Sequence, residues 1–155
     1  MKFQLEDLAA SLAAYLSPYF PDAAFYQDPN QQGTKTPCFF LQQRYANIQK
    51  QIGPFWLLRI GLDLTYLEDY NLPDLQQRYS KAAGILDPIL ETFPYWEGGE
   101  GKPARLRTYD RKWDINLDAL HYAFEIKERV ALPEIVPKME EIEEYHEVIK
   151  HGANG

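Results

Sequence analysis

The chain has 155 residues and a mass of 18.1 kDa, room for one domain or a domain with a tail, but not for two full domains. Apolar residues at 45% and charged residues at 25% exclude wholesale disorder and give a soluble, cytoplasmic expectation. A net charge of −7 and a pI near 5.0 argue against a basic nucleic-acid-binding domain.

Met1 to Asp7 lack a basic start followed by an apolar run, so no signal peptide is expected. Leu5, Leu8, Leu12 and Leu16 recur at helical spacing among alanines, which predicts a core-facing helix from about Gln4 to Leu16, ended by Pro18. A short strand is expected over Ala24 to Gln27, then a loop over Asp28 to Gly33. Pro37-Cys38-Phe39-Phe40-Leu41 opens an extended segment that stays strand-compatible through Tyr45 and Ile48. Cys38 is the single cysteine, which excludes an internal disulfide framework and a cysteine zinc cage. Flanked by Phe39 and Phe40, it reads as a buried thiol rather than a nucleophile.

After a turn near Gly53-Pro54 comes the clearest strand. Trp56, Leu58, Ile60, Leu62, Leu64 and Tyr66 share one face at period two, and Phe55, Leu57, Arg59, Gly61, Asp63 and Thr65 the more polar other. Leu72, Leu75, Tyr79, Ala82, Leu86, Ile89 and Phe93 then follow at steps of three and four, predicting a second amphipathic helix. Pro73 and Asp74 suit its first turn, and Pro88 predicts a kink or break. Strands are expected over Ala104 to Trp113 and Leu117 to Val130, with the turn at Asp114-Ile115-Asn116. The result is an α+β domain over 1–132: an antiparallel-rich mixed sheet of about five strands with two helices on one face.

Beyond Pro133 the composition changes. Glu134 to Lys150 hold six Glu against two Lys, a net charge of −4. An acidic extension over 133–155 is expected, with a helix from Lys138 to Ile149 that places Met139, Ile142, Tyr145 and Ile149 on one stripe. His146 and His151 are five apart, about 140° around a helix, so they fail the zinc-protease spacing.

Other chemical candidates are weak. His121 with Glu125 and Lys127 could form an acid–base pair on the last strand, but a solvated strand face is the preferred reading. Gly98-Gly99-Glu100-Gly101-Lys102 lacks phosphate-loop spacing and precedes a strand. Arg105, Arg107, Tyr109, Arg111 and Trp113 alternate along one strand as a basic and aromatic stripe. Such a stripe suits single-stranded nucleic acid, or docking of an acidic partner such as the chain's own tail. No catalytic residue, metal or cofactor is expected, and no stretch approaches the length of a membrane span.

The layout resembles the tail terminator (tail completion) proteins of phages and phage-like elements of Gram-positive bacteria. The resemblance rests on the amphipathic start, Pro37 to Leu41, and the long apolar strand before a helix. It rests also on the closing strand His121-Tyr122-Ala123-Phe124-Glu125-Ile126 and the acidic Pro137-Lys138-Met139-Glu140-Glu141-Ile142-Glu143. It implies a non-enzymatic virion protein, made in the host bacterial cytoplasm, that assembles as a ring, typically a hexamer, at the head-proximal end of the tail tube. Its expected partners are itself, the tail tube protein and the head–tail connector. DNA would pass through the ring without sequence-specific contact. Pro88 has no counterpart in that pattern. From the residues, the expected subunit contacts are Met139, Ile142, Tyr145 and Ile149 with Arg105, Arg107 and Arg111. Rival readings are a head-completion or neck protein of the same particle, and a small cytoplasmic binding module.

Overall fold

A computed structural model describes residues 3–27 and 35–131. Helix α1 spans Leu5–Leu16 and buries Leu8, Leu12 and Leu16 along the stripe that the leucine spacing defines. Strands β1 (Ala24–Tyr26), β2 (Cys38–Lys50) and β3 (Phe55–Leu67) follow. Then come helix α2 (Leu75–Ile89) and strands β4 (Thr92–Tyr95), β5 (Ala104–Asn116) and β6 (Ala119–Ala131).

The strands form one six-stranded sheet in the order β1-β2-β3-β6-β5-β4. Only β1 runs parallel to its neighbour β2, and every other pairing is antiparallel. The facing predicted for β3 holds for Ile60, Leu62, Leu64 and Tyr66, which are buried toward the helices with Leu120, Tyr122, Phe124 and Ile126 of β6. But Gly61, Asp63 and Thr65 on the other face are buried too, and Trp56 and Leu58 are only half-buried. Both helices join that same cluster through Leu8, Leu12, Leu16, Tyr79, Ala82, Ala83 and Leu86. Apolar faces of the two helices and of the sheet thus leave water together, the dominant favourable term in folding.

Three expectations need correction. The sheet has six strands rather than about five, because Thr92–Tyr95 form β4. Phe93 therefore belongs to a strand and not to the second helix, although its spacing fits the helical stripe. Pro88 has no N–H to offer Gly84, and α2 stops one residue later at Ile89, capped by the Leu90 N–H on the Leu86 carbonyl at 2.9 Å. Freed from the helix, Phe93 and Tyr95 pair with Leu106 and Ala104 and enter the core.

The last hairpin also turns later than expected. Asp114, Ile115 and Asn116 stay in β5, paired with His121, Leu120 and Ala119. The reversal falls on Leu117 and Asp118, whose φ angles of 51° and 57° match a two-residue turn of the kind that fits the right-handed twist of the strands. The acidic extension and the Asp28–Gly33 loop lie outside the described residues.

Candidate functional site

The helix-free face of the sheet carries the polar groups. Register places Phe40, Thr65 and His121 in one row, Gly61 between Tyr45 and Glu125 in another, and Asn47, Arg59 and Lys127 in a third. A bulge at Arg44 in β2 allows this, since Gln43 pairs with Leu62 and Tyr45 already with Gly61. The extra residue turns Tyr45 onto the outer face, and its ring lies flat over Gly61. A Cβ at position 61 would sit 2.2 Å from that ring. Tyr45 then donates to Glu125 Oε2 at 2.6 Å, bridging from β2 across β3 to β6.

Glu125 is only 4% exposed and is fully partnered. Arg59 donates to its Oε1 through Nε and Nη2, each at 3.0 Å, and Lys127 Nζ lies 3.9 Å away. The hydrogen bond from Tyr45, followed by those from Arg59, holds this carboxyl below the usual range against the opposing effect of burial. The same bond raises the Tyr45 hydroxyl.

A second group forms around Asp63, also buried. His121 Nδ1 lies 3.1 Å from Asp63 Oδ2, and the Thr65 hydroxyl lies 3.4 Å from both Asp63 Oδ1 and that same nitrogen. The sequence-level pair of His121 and Glu125 is not assembled. Four residues apart on an extended strand, they stand about 13 Å apart and engage different partners. What His121 does is satisfy a buried carboxylate that would otherwise be costly. Among the described residues no group of three or more His, Cys, Asp or Glu could hold a metal ion.

The basic stripe is divided. Arg105, Arg107 and Tyr109 face outward, with Arg105 Nε donating to Thr92 Oγ1 at 2.9 Å and Arg107 3.5 Å from Glu91. Pairing then shifts between Tyr109 and Lys112, where Asp110 has a φ of 52°. Past this bulge Arg111 points to the helix side, donating to the Asp87 carbonyl at the end of α2 and to the Tyr122 hydroxyl at 3.3 Å. Trp113 pairs with Tyr122 on that side too. Strict alternation along the strand predicts a one-face stripe, and the bulge breaks that alternation.

Cys38 is fully buried, and burial pushes its thiol up to about 11, consistent with a structural rather than reactive role. Gly98 and Gly99 lie in a short 3-10 helix, Glu97–Gly99, ahead of β5, and the Gly98 N–H donates to Asp7 Oδ2 at 3.1 Å. Met139, Ile142, Tyr145, Ile149, His146 and His151 lie outside the described residues.

Beyond the core the sheet continues as an arm. β2 is exposed from Gln42 to Lys50, and β6 pairs only with β3 after Ile126, because β5 has left it for β4. Among the described residues the arm therefore consists of β2, β3 and β6, and it exposes Ile48, Ile52 (94%) and Phe55 while Val130 on its other face is buried. Surface of this kind marks a docking site more often than a catalytic one.

A scan against family models matches residues 7–137 to the phage tail terminator proteins. The chain belongs to that family. Its role is accordingly a structural one in the phage tail, as a component of the virion. No curated protein matches the sequence. The match covers all of α1 from Asp7, the whole sheet and α2, and it ends just before the predicted tail helix. Among the described residues no helix is long and apolar enough to cross a membrane.

Proposed function

We propose that this protein caps the head-proximal end of the tail tube as a closed ring of identical subunits, typically six, and joins the tube to the head connector. The family match over 7–137 is the observation that carries this reading. The exposed arm supports it, since Ile48, Ile52 and Phe55 stand exposed there, outside the described core. In a ring each subunit makes the same head-to-tail contact with the next, and closure limits growth.

Residues 133–155 are proposed as an appendage to the 1–132 domain. Subunit contact is proposed through Met139, Ile142, Tyr145 and Ile149, and through Arg105, Arg107 and Arg111, the last from the helix side of the sheet. DNA passes through such a ring without a sequence-specific contact.

The test is electron microscopy of particles assembled without this protein. Tails of irregular or excessive length, unable to join heads, are expected. Normal tails joined to heads would refute the terminator role. Tails of normal length that fail to join heads would favour a head-completion role.

A further inference from the structure

The arm is basic on its outer face, with Glu128 of β6 turned to the other side beside Leu58. From Arg44 to Gly61 there are three cations, Arg44, Lys50 and Arg59, and no Asp or Glu, in a protein whose net charge is −7. On the outer face, register brings Arg59 beside Lys127 and Leu57 beside Arg129. Like charges directly opposite each other on a sheet are destabilising. Glu125 relieves the first pair and is the single carboxylate in this patch of three cations. Arg129 lies over the Phe55 ring at 4.2 Å and has no carboxylate partner among the described residues. Phe55 itself is 37% exposed. The outer face of the arm is thus an apolar strip, Phe55 and Leu57, flanked by Lys127 and Arg129.

The same chain contains the complement. Its 133–155 extension has a net charge of −4 between Glu134 and Lys150. At helical spacing Glu141 and Glu143 border the Met139-Ile142-Tyr145-Ile149 stripe on its two sides. The exposed Ala10 and Ala14 of α1 offer a rival apolar seat, but Glu6 and Asp7 make the start of that helix acidic and repel such a segment. On β5, Arg107 already has Glu91 beside it and Arg105 is bonded to Thr92, so charge selects the arm.

Geometry selects a neighbour's arm. β6 ends at Ala131 opposite Phe55, so the chain leaves from the tip of its own arm. Between Leu132 and Ile149 there is no Gly, Asn or Asp to favour a reversal, and Pro133 and Pro137 bias the residues before them to extended backbone. Seven residues from Leu132 to Lys138 can span at most about 23 Å, enough to reach an adjacent subunit.

We propose that the acidic C-terminal segment of one copy docks on the outer face of a second copy's arm, Glu141 and Glu143 meeting Lys127 and Arg129 while the Met139 stripe covers Phe55 and Leu57. This deepens the self-assembly half of the ring reading and rests on it. The contact is heterologous, tail to arm around the ring, and its tail half lies beyond the residues that match the family.

The experiment uses sedimentation of the full-length chain. K127E/R129E on the arm, or E141K/E143K on the tail, is expected to weaken association about tenfold or more, with circular dichroism and melting temperature unchanged. Combining all four substitutions restores it, and so does mixing the two double variants, which do not self-associate singly. A wild-type chain that stays monomeric at every concentration would overturn the proposal, as would association indifferent to these charges or four substitutions without rescue. A single-stranded oligonucleotide, followed by fluorescence anisotropy, is the counter-probe. Salt-sensitive binding lost in K127E/R129E, without effect on association, would assign the arm to nucleic acid instead. Particle morphology tests the terminator role separately, so either reading can fail alone.

Discussion

Gly61 explains why a tyrosine can cross three strands. Glycine in a strand interior costs stability unless something approaches closely, and here the approaching group is the Tyr45 ring. Gly61→Ala is expected to lift that ring off the sheet and break its bond to Glu125, at a cost of about 1 kcal/mol. Tyr45→Phe should cost a similar amount, and the two changes together little more than either alone. Urea unfolding of the four proteins measures this, and additive losses would show that the ring and the glycine act independently. Glu125 adds a pH dependence. Its folded-state carboxyl lies below its unfolded value because Tyr45 and Arg59 stabilise the anion. That contribution is therefore complete above the unfolded value of about 4.3 and disappears as pH falls through the folded one. The melting temperature of the native protein should exceed that of Glu125→Gln at pH 7, with the gap closing toward pH 3.

At the scale of elements, the legible parts were those with unbroken periodicity. α1, α2 up to Pro88 and the long run of β3 were all readable, because each buries one continuous stripe or face. The errors fall where one residue interrupts a period. The bulge at Asp110 and Arg111 sends Arg111 to the helix side, and nothing in Arg105 to Trp113 distinguishes a bulged strand from a straight one. Phe93 fits both a helical and an extended pattern, and only the pairing with Leu106 decides between them. Tyr45 was missed as a site residue for the same reason, the bulge at Arg44, although Gly61 in mid-strand was a signal that something lay above it. The sequence places the β5–β6 turn too early because Leu117-Asp118 has no glycine and opens on a leucine, despite positive φ at both positions. That mismatch is testable. Replacing the pair with Asn-Gly should stabilise the protein by about 0.5 kcal/mol, since both new residues tolerate this backbone. The Asp118 carbonyl, which accepts from the Tyr79 hydroxyl at 2.6 Å, is retained in that variant. A fall in melting temperature would mean that the Leu117 or Asp118 side chain makes a contact of its own.

At the scale of the molecule, the described residues already hold a buried core that draws on both helices and the sheet. Among the described residues the buried cluster runs from Leu8 to Ile126, with Val130 buried beyond it, and β6 ends at Ala131. The family match likewise ends at residue 137. A chain stopped after Leu132 should therefore keep its strand and helix content and melt within a few degrees of the whole protein. Its behaviour in assembly should differ sharply. If the extension latches one subunit to the next, removing it leaves arms with no tail to receive, and sedimentation should show a monomer at concentrations where the intact chain associates. A heterologous contact either closes or grows without limit. The intact protein should therefore show one discrete mass that stays constant as concentration rises, and electron microscopy should show rings. A large fall in melting temperature with association preserved would place the extension inside the fold and refute the appendage. Open filaments of the intact protein would refute closure, because a subunit that cannot close cannot terminate a tube.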